Sequence, residues 1–382
     1  MKQVLKIVFV VLIALQACRT PFDPEIPSKE ISFLVVEGYL DTEGKRSELK
    51  LSRTVPLDSS TSFSPEKNAS VILSSQSGQQ FQLQEEEPGI YVFERNVPEQ
   101  DVYNLEIFLA NGERFKSKPL KPILTPPIID AGFQKDEEGV EVFVTTKGDE
   151  NADDFLWTFE ESWIYRPRIR TAYIYDSKIG TVRDRTAEED ISLCFKNESS
   201  PDILLETSSR FQDQVVFKQT ITEIPTGDER IMERYSILIS QKAIAQEDVA
   251  FWEILKKNTE DIGSIFSPLP SLIGGNISSV DNPNSPVIGQ VSMGVVQEKR
   301  IYINRVDVSP WNYLDPQFND CIISLEPVFT QFYASTFGSG FVLPTIPLMA
   351  GTTIVGYYVT DKRCADCTLY ASPVKPEFWE DE

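Results

Sequence analysis

Four prolines in nine residues, Pro119, Pro122, Pro126 and Pro127, divide this chain more sharply than any other feature. A proline has no amide proton to give to a β-ladder, so no central strand can run through such a stretch. Folding is therefore expected in two units, with the cut near residue 126. The chain of 382 residues has room for both at the usual size of about 100–200 residues each.

The unit before the prolines reads as β. Residues 31–40 are rich in β-branched and aromatic side chains, and shorter runs of the same kind follow at 48–51, 69–74, 80–83, 90–93 and 103–109. Ala110-Asn111-Gly112-Glu113 is a hairpin signal, because Asn-Gly accepts the positive φ angles of a type I′ turn. Gln76-Ser77-Gly78-Gln79 offers a second turn. Six or seven short strands over about 90 residues predict an immunoglobulin-like or transthyretin-like β-sandwich spanning 30–125.

The second unit, 126–382, reads as larger and mainly β. Val140, Val142 and Val144 alternate, as do Trp157 with Phe159 and Trp163 with Tyr165. Further strand-like runs occupy 215–221, 235–239, 287–293, 300–306, 321–325 and 353–359. One short helix is predicted over 245–257, with Val249, Trp252 and Leu255 on one stripe. Its acids Glu247 and Asp248 stand in the first turn, and Lys256 and Lys257 in the last, as the helix dipole prefers.

The start of the chain sets its expected location. Lys2 and Lys6 flank the head of an apolar run over 7–15, the pattern of a secretory signal, assigned here to 1–17. The run is too short to span about 30 Å of hydrocarbon, and Arg19-Thr20-Pro21 follows close behind it. Leu15-Gln16-Ala17-Cys18 resembles the lipobox of bacterial lipoproteins. That resemblance implies cleavage before Cys18, diacylation of its thiol and acylation of the new amine with palmitate-type chains. Pro21, Pro24 and Pro27 make 18–29 an extended tether.

Charge narrows the partners. Loss of Lys2 and Lys6 with the signal would take the net charge from −22 to −24. Nucleic acid is excluded as a partner, because phosphate affinity needs clustered Lys and Arg. Flat binding to anionic lipid is excluded on the same ground, so acyl chains must supply membrane attachment at about 0.8 kcal/mol per buried CH₂.

The chain has no histidine. This removes Ser-His-Asp and Cys-His catalysis and His-ligated zinc, and it weighs against an enzyme; no catalytic residue, metal or cofactor is assigned. Besides Cys18 there are Cys194, Cys321, Cys364 and Cys367, an even number that in an exported protein suggests disulfides of unassigned connectivity. Cys364-Ala365-Asp366-Cys367 as a redox pair lacks a βαβ setting, and a Cys₄ zinc site lacks a second close pair.

The richest local chemistry is Arg166, Arg168 and Arg170, which in a strand would share one face beside Trp163, Tyr165, Tyr173 and Tyr175. Such a face could grip carboxylates or stack on sugars or peptides, so Trp163 and the three arginines are the candidate ligand or partner site. The alternative is that the arginines pair with acids and the aromatics fill the core. Asp149-Glu150-Asn151-Ala152-Asp153-Asp154 imitates a calcium loop but has Asp154 where glycine is required, so it is read as an acidic turn. Gly338-Ser339-Gly340 and Ser64-Pro65-Glu66-Lys67 lack the context of a nucleophile. The loops 267–276 and 281–286 are candidate binding rims.

A family resemblance covers nearly the whole sequence after the signal. It is carried by Tyr235-Ser236-Ile237-Leu238-Ile239-Ser240-Gln241, Phe251-Trp252-Glu253-Ile254-Leu255, Gly263-Ser264-Ile265-Phe266, Pro268-Leu269-Pro270-Ser271 and Pro286-Val287-Ile288-Gly289. Val35-Val36-Glu37-Gly38, Trp157-Thr158-Phe159 and the ending Cys364-Ala365-Asp366-Cys367-Thr368 with Glu377-Phe378-Trp379 extend it. Together these resemble the Bacteroidota lipoprotein family known as domain of unknown function 4249, with Ala371-Ser372 as one departure. The resemblance implies an outer-membrane lipoprotein, commonly encoded beside a TonB-dependent transporter, and no established activity. The expected function is a non-enzymatic accessory or ligand- and partner-binding module of such a transporter, lipid-anchored on either face of the outer membrane. The rivals are a carboxylate-based hydrolase acting on glycans or peptides and a structural or assembly protein of the envelope.

Overall fold

The computed structural model describes residues 32–55, 64–200, 202–260, 274–313 and 315–380. The expected signal, Cys18, the tether and most of the 267–276 rim lie outside the described residues. The protein is mainly β, as expected, with one substantial helix among the described residues.

The first sandwich is built on alternation. In Ser70–Ser75 the side chains of Val71 and Leu73 turn inward, and across the fold Leu49 and Leu51 of Ser47–Arg53 do the same. Val36, Tyr91, Tyr103, Leu105 and Ile107 complete a fully buried core. Each large apolar side chain so buried contributes about 1.5–3 kcal/mol relative to exposure. The strand Gln80–Glu87 forms the corner: its first half pairs with Ser70–Ser75 and its second half with Ile90–Phe93, so one strand serves both layers. At the 109–113 turn only Gly112 has positive φ, +91°, and its N–H bonds back to the Leu109 carbonyl. The turn is therefore a type I turn closed by a left-handed glycine, not the type I′ turn that Asn-Gly suggested.

This sandwich is not made of 30–125 alone. Ile277–Ser279 pairs antiparallel with Arg114–Ser117, while Val287–Ile288 and Val291–Gly294 run parallel to Leu34–Asp41. Ile277, Val287, Val291 and Met293 enter its core. The expected 287–293 strand breaks at Gly289, where φ is +137° and a Cβ would lie 1.8 Å from the Val36 carbonyl oxygen. Only glycine lets the returning segment press this closely on the first strand.

The second sandwich packs two sheets. Asp154–Tyr165 and Arg234–Ile244 lie between Cys194–Ser199 and Val296–Asn304, with Leu204–Thr207 beside the first half of Asp154–Tyr165. Facing them is the sheet of Ile128–Lys135, Gly139–Lys147 and Val215–Pro225. Trp157, Tyr235, Ile237, Ile239, Val142 and Val144 fill the space between. Inside it, the Trp157 indole donates to Gln241 Oε1 at 2.9 Å, and Gln241 Nε2 donates to the Pro126 carbonyl at 2.8 Å and to Thr146 Oγ1 at 3.0 Å. One buried amide thus fastens the proline linker to the second core.

A small third module follows. Val328–Phe329, Thr353–Asp361 and Val342–Ala350 form a sheet, with the hairpin Tyr173–Asp176 and Thr181–Asp184 beside it. Tyr173 meets Tyr357 edge-on, with ring centroids 4.9 Å apart. The expected strand at 321–325 is not one; Cys321 instead forms a disulfide with Cys364. Cys194 pairs with Cys367, so one bridge closes the base of the module and the other bonds it to the rest of the body. The predicted helix forms as Gln246–Glu260, over the junction of the two sandwiches.

Candidate functional site

A recess of about 900 Å³ lies between the sandwiches, with the proline linker on one side and the start of the helix on the other. Leu120, Ile123, Phe251 and Ile254 give it apolar walls, and Asp149, Glu150, Asp153, Glu247 and Asp248 an acidic rim. Ligand sites favour such inter-domain positions. Burial pushes the Asp248 carboxyl up to about 6, while Ser292 Oγ donates to its Oδ2 at 3.2 Å. Gln290, only 4% exposed, also lines the recess and leaves its Nε2 without a partner among the described residues. The Asp149 carboxylate accepts from the backbone N–H groups of Asn151 and Ala152, closing an acidic turn as the sequence suggested. No group of three potential metal ligands occurs among the described residues.

A second cleft of about 440 Å³ holds Lys242, Tyr39 and Trp252. Burial pushes the Lys242 ammonium down, and its Nζ stands 5.6 Å from the centroid of the Tyr39 ring. Tyr39 donates to the Ala243 carbonyl at 3.3 Å, and burial pushes its phenol up.

The arginine series does not form a strand face. Ladder pairing stops at Tyr165, because Pro167 sits two residues on and lacks the N–H to continue it. Trp163 is 2% exposed and belongs to the second core. Arg166 is a structural fork, donating from Nε and Nη2 to the two Glu233 oxygens at 2.6 and 2.9 Å and from Nη1 to the Ser192 carbonyl. That fork holds the Glu233 carboxyl below its ordinary value. Arg168 and Arg170 remain exposed, and between them Ile169 N–H donates to the Cys364 carbonyl at 3.0 Å. The two therefore stand beside the third module rather than beside Trp163.

The four cysteines all lie in disulfides, so Cys364 and Cys367 are not a dithiol pair. Ser64 and Pro65 pair with Arg53 and Ser52, and Glu66 binds Arg53, which leaves that motif a piece of sheet edge. Ser339 Oγ accepts from the Phe341 N–H in a turn. On the 281–286 rim, Asp281 is paired with Arg114 at 2.6 Å.

What sequence reasoning missed is the surface of the third module. Between Asp320 and Asp361 the only charged residue is Glu326, in a protein where 25% of residues are charged. Leu325 is 92% exposed and Phe341 76%, with Phe332, Ile346, Met349 and Phe329 also open to solvent. Singly scattered apolar residues need no explanation, but a charge-poor stretch that displays this many is unusual for a monomer's surface. Aromatic and Met enrichment with charge depletion is the composition of an interface core. The long uncharged run was visible in the sequence.

Residues 19–300, well over half of the chain, match the family model described as domain of unknown function (DUF4249). No curated protein matches the chain.

Proposed function

The chain belongs to the DUF4249 family, and from that premise we propose that it is a lipid-anchored accessory or partner-binding module, without catalysis of its own, acting beside a TonB-dependent transporter in the outer membrane. The observation that carries this reading is the apolar, charge-poor surface of the third module over 321–360. Its position supports a protein partner over lipid. The segment that follows Cys18 enters the first sandwich at Leu34–Asp41, whereas the module is bonded to Cys194, at the far end of the twelve-residue strand Asp154–Tyr165. A strand of that length spans about 40 Å. The module therefore stands at the end of the second sandwich remote from Leu34–Asp41, and the net charge of the body disfavours anionic lipid in any case. Among the described residues no helix is long and apolar enough to cross a membrane.

The test is gentle detergent extraction of the native acylated protein, followed by mass spectrometry of what stays bound. A stoichiometric transporter supports the reading, a different envelope protein selects the assembly role, and a protein that emerges alone contradicts both. Cys18→Ala should release the folded body from the membrane fraction; a variant that stays membrane-bound refutes the anchor.

The hydrolase reading has one observation behind it, the raised Asp248 carboxyl on the 900 Å³ recess. Turnover of a glycan or peptide library, lost in Asp248→Asn, would be its support.

A further inference from the structure

The third module carries a pocket of about 270 Å³ at the edge of its apolar surface. Ile174, Ile191, Phe337, Val342 and Leu343 give it apolar walls; Lys362 and Asp366, which pair with each other, and Arg185 are its charged lining. Phe341 lies between Gly340 and Val342, both in the pocket lining, so the exposed apolar surface runs up to the pocket mouth.

Arg185 is held but not neutralised. Its Nε donates to the Tyr173 carbonyl and its Nη1 to the Glu189 carbonyl, each at 3.0 Å. These bonds fix the guanidinium without supplying an anion. Among the described residues it has no ion pair, and its Nη2 makes no hydrogen bond. The neighbouring acids are committed elsewhere: the Glu189 carboxylate to Arg183 at 2.7 and 2.8 Å, and Asp366 to Thr368 and to Lys362 at 3.5 Å. Burial lowers the Arg185 pKa by more than the nearby acids Asp366, Glu189 and Asp190 raise it, so its desolvation is only partly offset. A partly buried arginine whose Nη2 is free keeps charged N–H donors for a carboxylate. Arg168 and Arg170 stand nearby in a protein that is otherwise strongly acidic: Arg185 N–H donates to the Ala172 carbonyl at 2.7 Å, two residues after Arg170.

We infer that this pocket binds a carboxylate presented by an apolar, extended peptide segment, with Arg185 as its anchor. The inference rests on the docking reading above for the source of that segment. The carboxylate is either the terminal carboxylate of a polypeptide or an Asp or Glu side chain, and the chemistry at Arg185 is the same for both.

The experiment uses the full-length protein in detergent with methyl-labelled Ile, Leu and Val. Three probes are titrated: N-acetyl-leucine, N-acetyl-aspartyl-leucinamide and the neutral N-acetyl-leucinamide. At least one carboxylate probe should bind tenfold or more tighter than the neutral control and shift the methyls of Ile174, Ile191, Val342 and Leu343; which one wins identifies the source. Arg185→Gln, checked for an unchanged melting temperature, should bring the carboxylate probe to the level of the control. Equal affinity for all three probes, shifts elsewhere, or undiminished binding by Arg185→Gln each overturn the site. If Arg185→Gln does not fold, the methyl map of the unaltered protein decides. Carboxylate binding at these methyls with no partner in the membrane extract would sink the docking reading and leave the pocket standing; the converse result would do the opposite.

Discussion

Cys367 is bonded to Cys194 across 173 residues of sequence, while Cys364, three residues before it, reaches to Cys321. The close pair near the end of the sequence thus serves two different bridges, one closing the base of the third module and one fastening it to the second sandwich.

Peptide mapping under non-reducing conditions should therefore recover 194 joined to 367 and 321 joined to 364; a 364–367 bridge would contradict the fold. Replacing Cys194 and Cys367 by alanine should cost about 2–5 kcal/mol. Hydrogen exchange should localise the loss to Val342–Ala350 and Thr353–Asp361, with Leu34–Asp41 as protected as before.

Glu161 is buried and accepts from the Tyr235 hydroxyl at 2.5 Å and from Arg230 Nη1 at 2.9 Å. Removing one partner of a buried pair strands the other charge, so Arg230→Met should destabilise by about 3 kcal/mol or more. Adding Glu161→Met should return a large part of that in chemical denaturation. A double variant as unstable as the sum of the single ones would show no coupling between the two residues and contradict the stranded-charge account.

Asp248 makes stability depend on pH in a definite direction. Its carboxyl titrates near 6 in the fold and near 3.8 unfolded, because burial penalises the charged form. The penalty is absent below 3.8, grows as pH rises to about 6, and persists above that. Asp248→Asn should thus raise stability at pH 7 by about 1 kcal/mol after discounting for solvent screening, and leave it unchanged near pH 3. An equal effect at both pH values would rule out the charge as the cause.

Much of the fold was legible in local pattern. Ile90–Phe93 forms over the residues expected, and the helix expected over 245–257 is Gln246–Glu260, because alternation and terminal charge act within a few residues. The return of Ile277–Gly294 to the first sandwich was not legible. Its strands are two to four residues long, and two of them pair in parallel with a strand some 250 residues earlier, which no local signal encodes. Of the site, Arg166–Arg170 was read with the right residues and the wrong geometry, because Pro167 ends the strand at Tyr165. Arg185 could not be singled out in sequence, since its distinction is the prior commitment of Glu189 and Asp366.

Gln241 joins three elements through one side chain, and Gln241→Leu should leave the Trp157 N–H and the Pro126 carbonyl unpaired in the core. The expected loss is about 2–4 kcal/mol in denaturant melts. A loss under about 0.5 kcal/mol would mean that the linker is held by other contacts.

Docking of a transporter on the charge-poor face of the third module is tested by comparing the unaltered protein with Phe341→Asp, an exposed position whose change should not move the melting temperature. After gentle extraction, the unaltered protein should carry a stoichiometric transporter, with cross-links in the 325–354 region, and Phe341→Asp should emerge with at least tenfold less. An unaltered protein that emerges alone, or a variant that keeps its full complement of partner, would contradict the proposal.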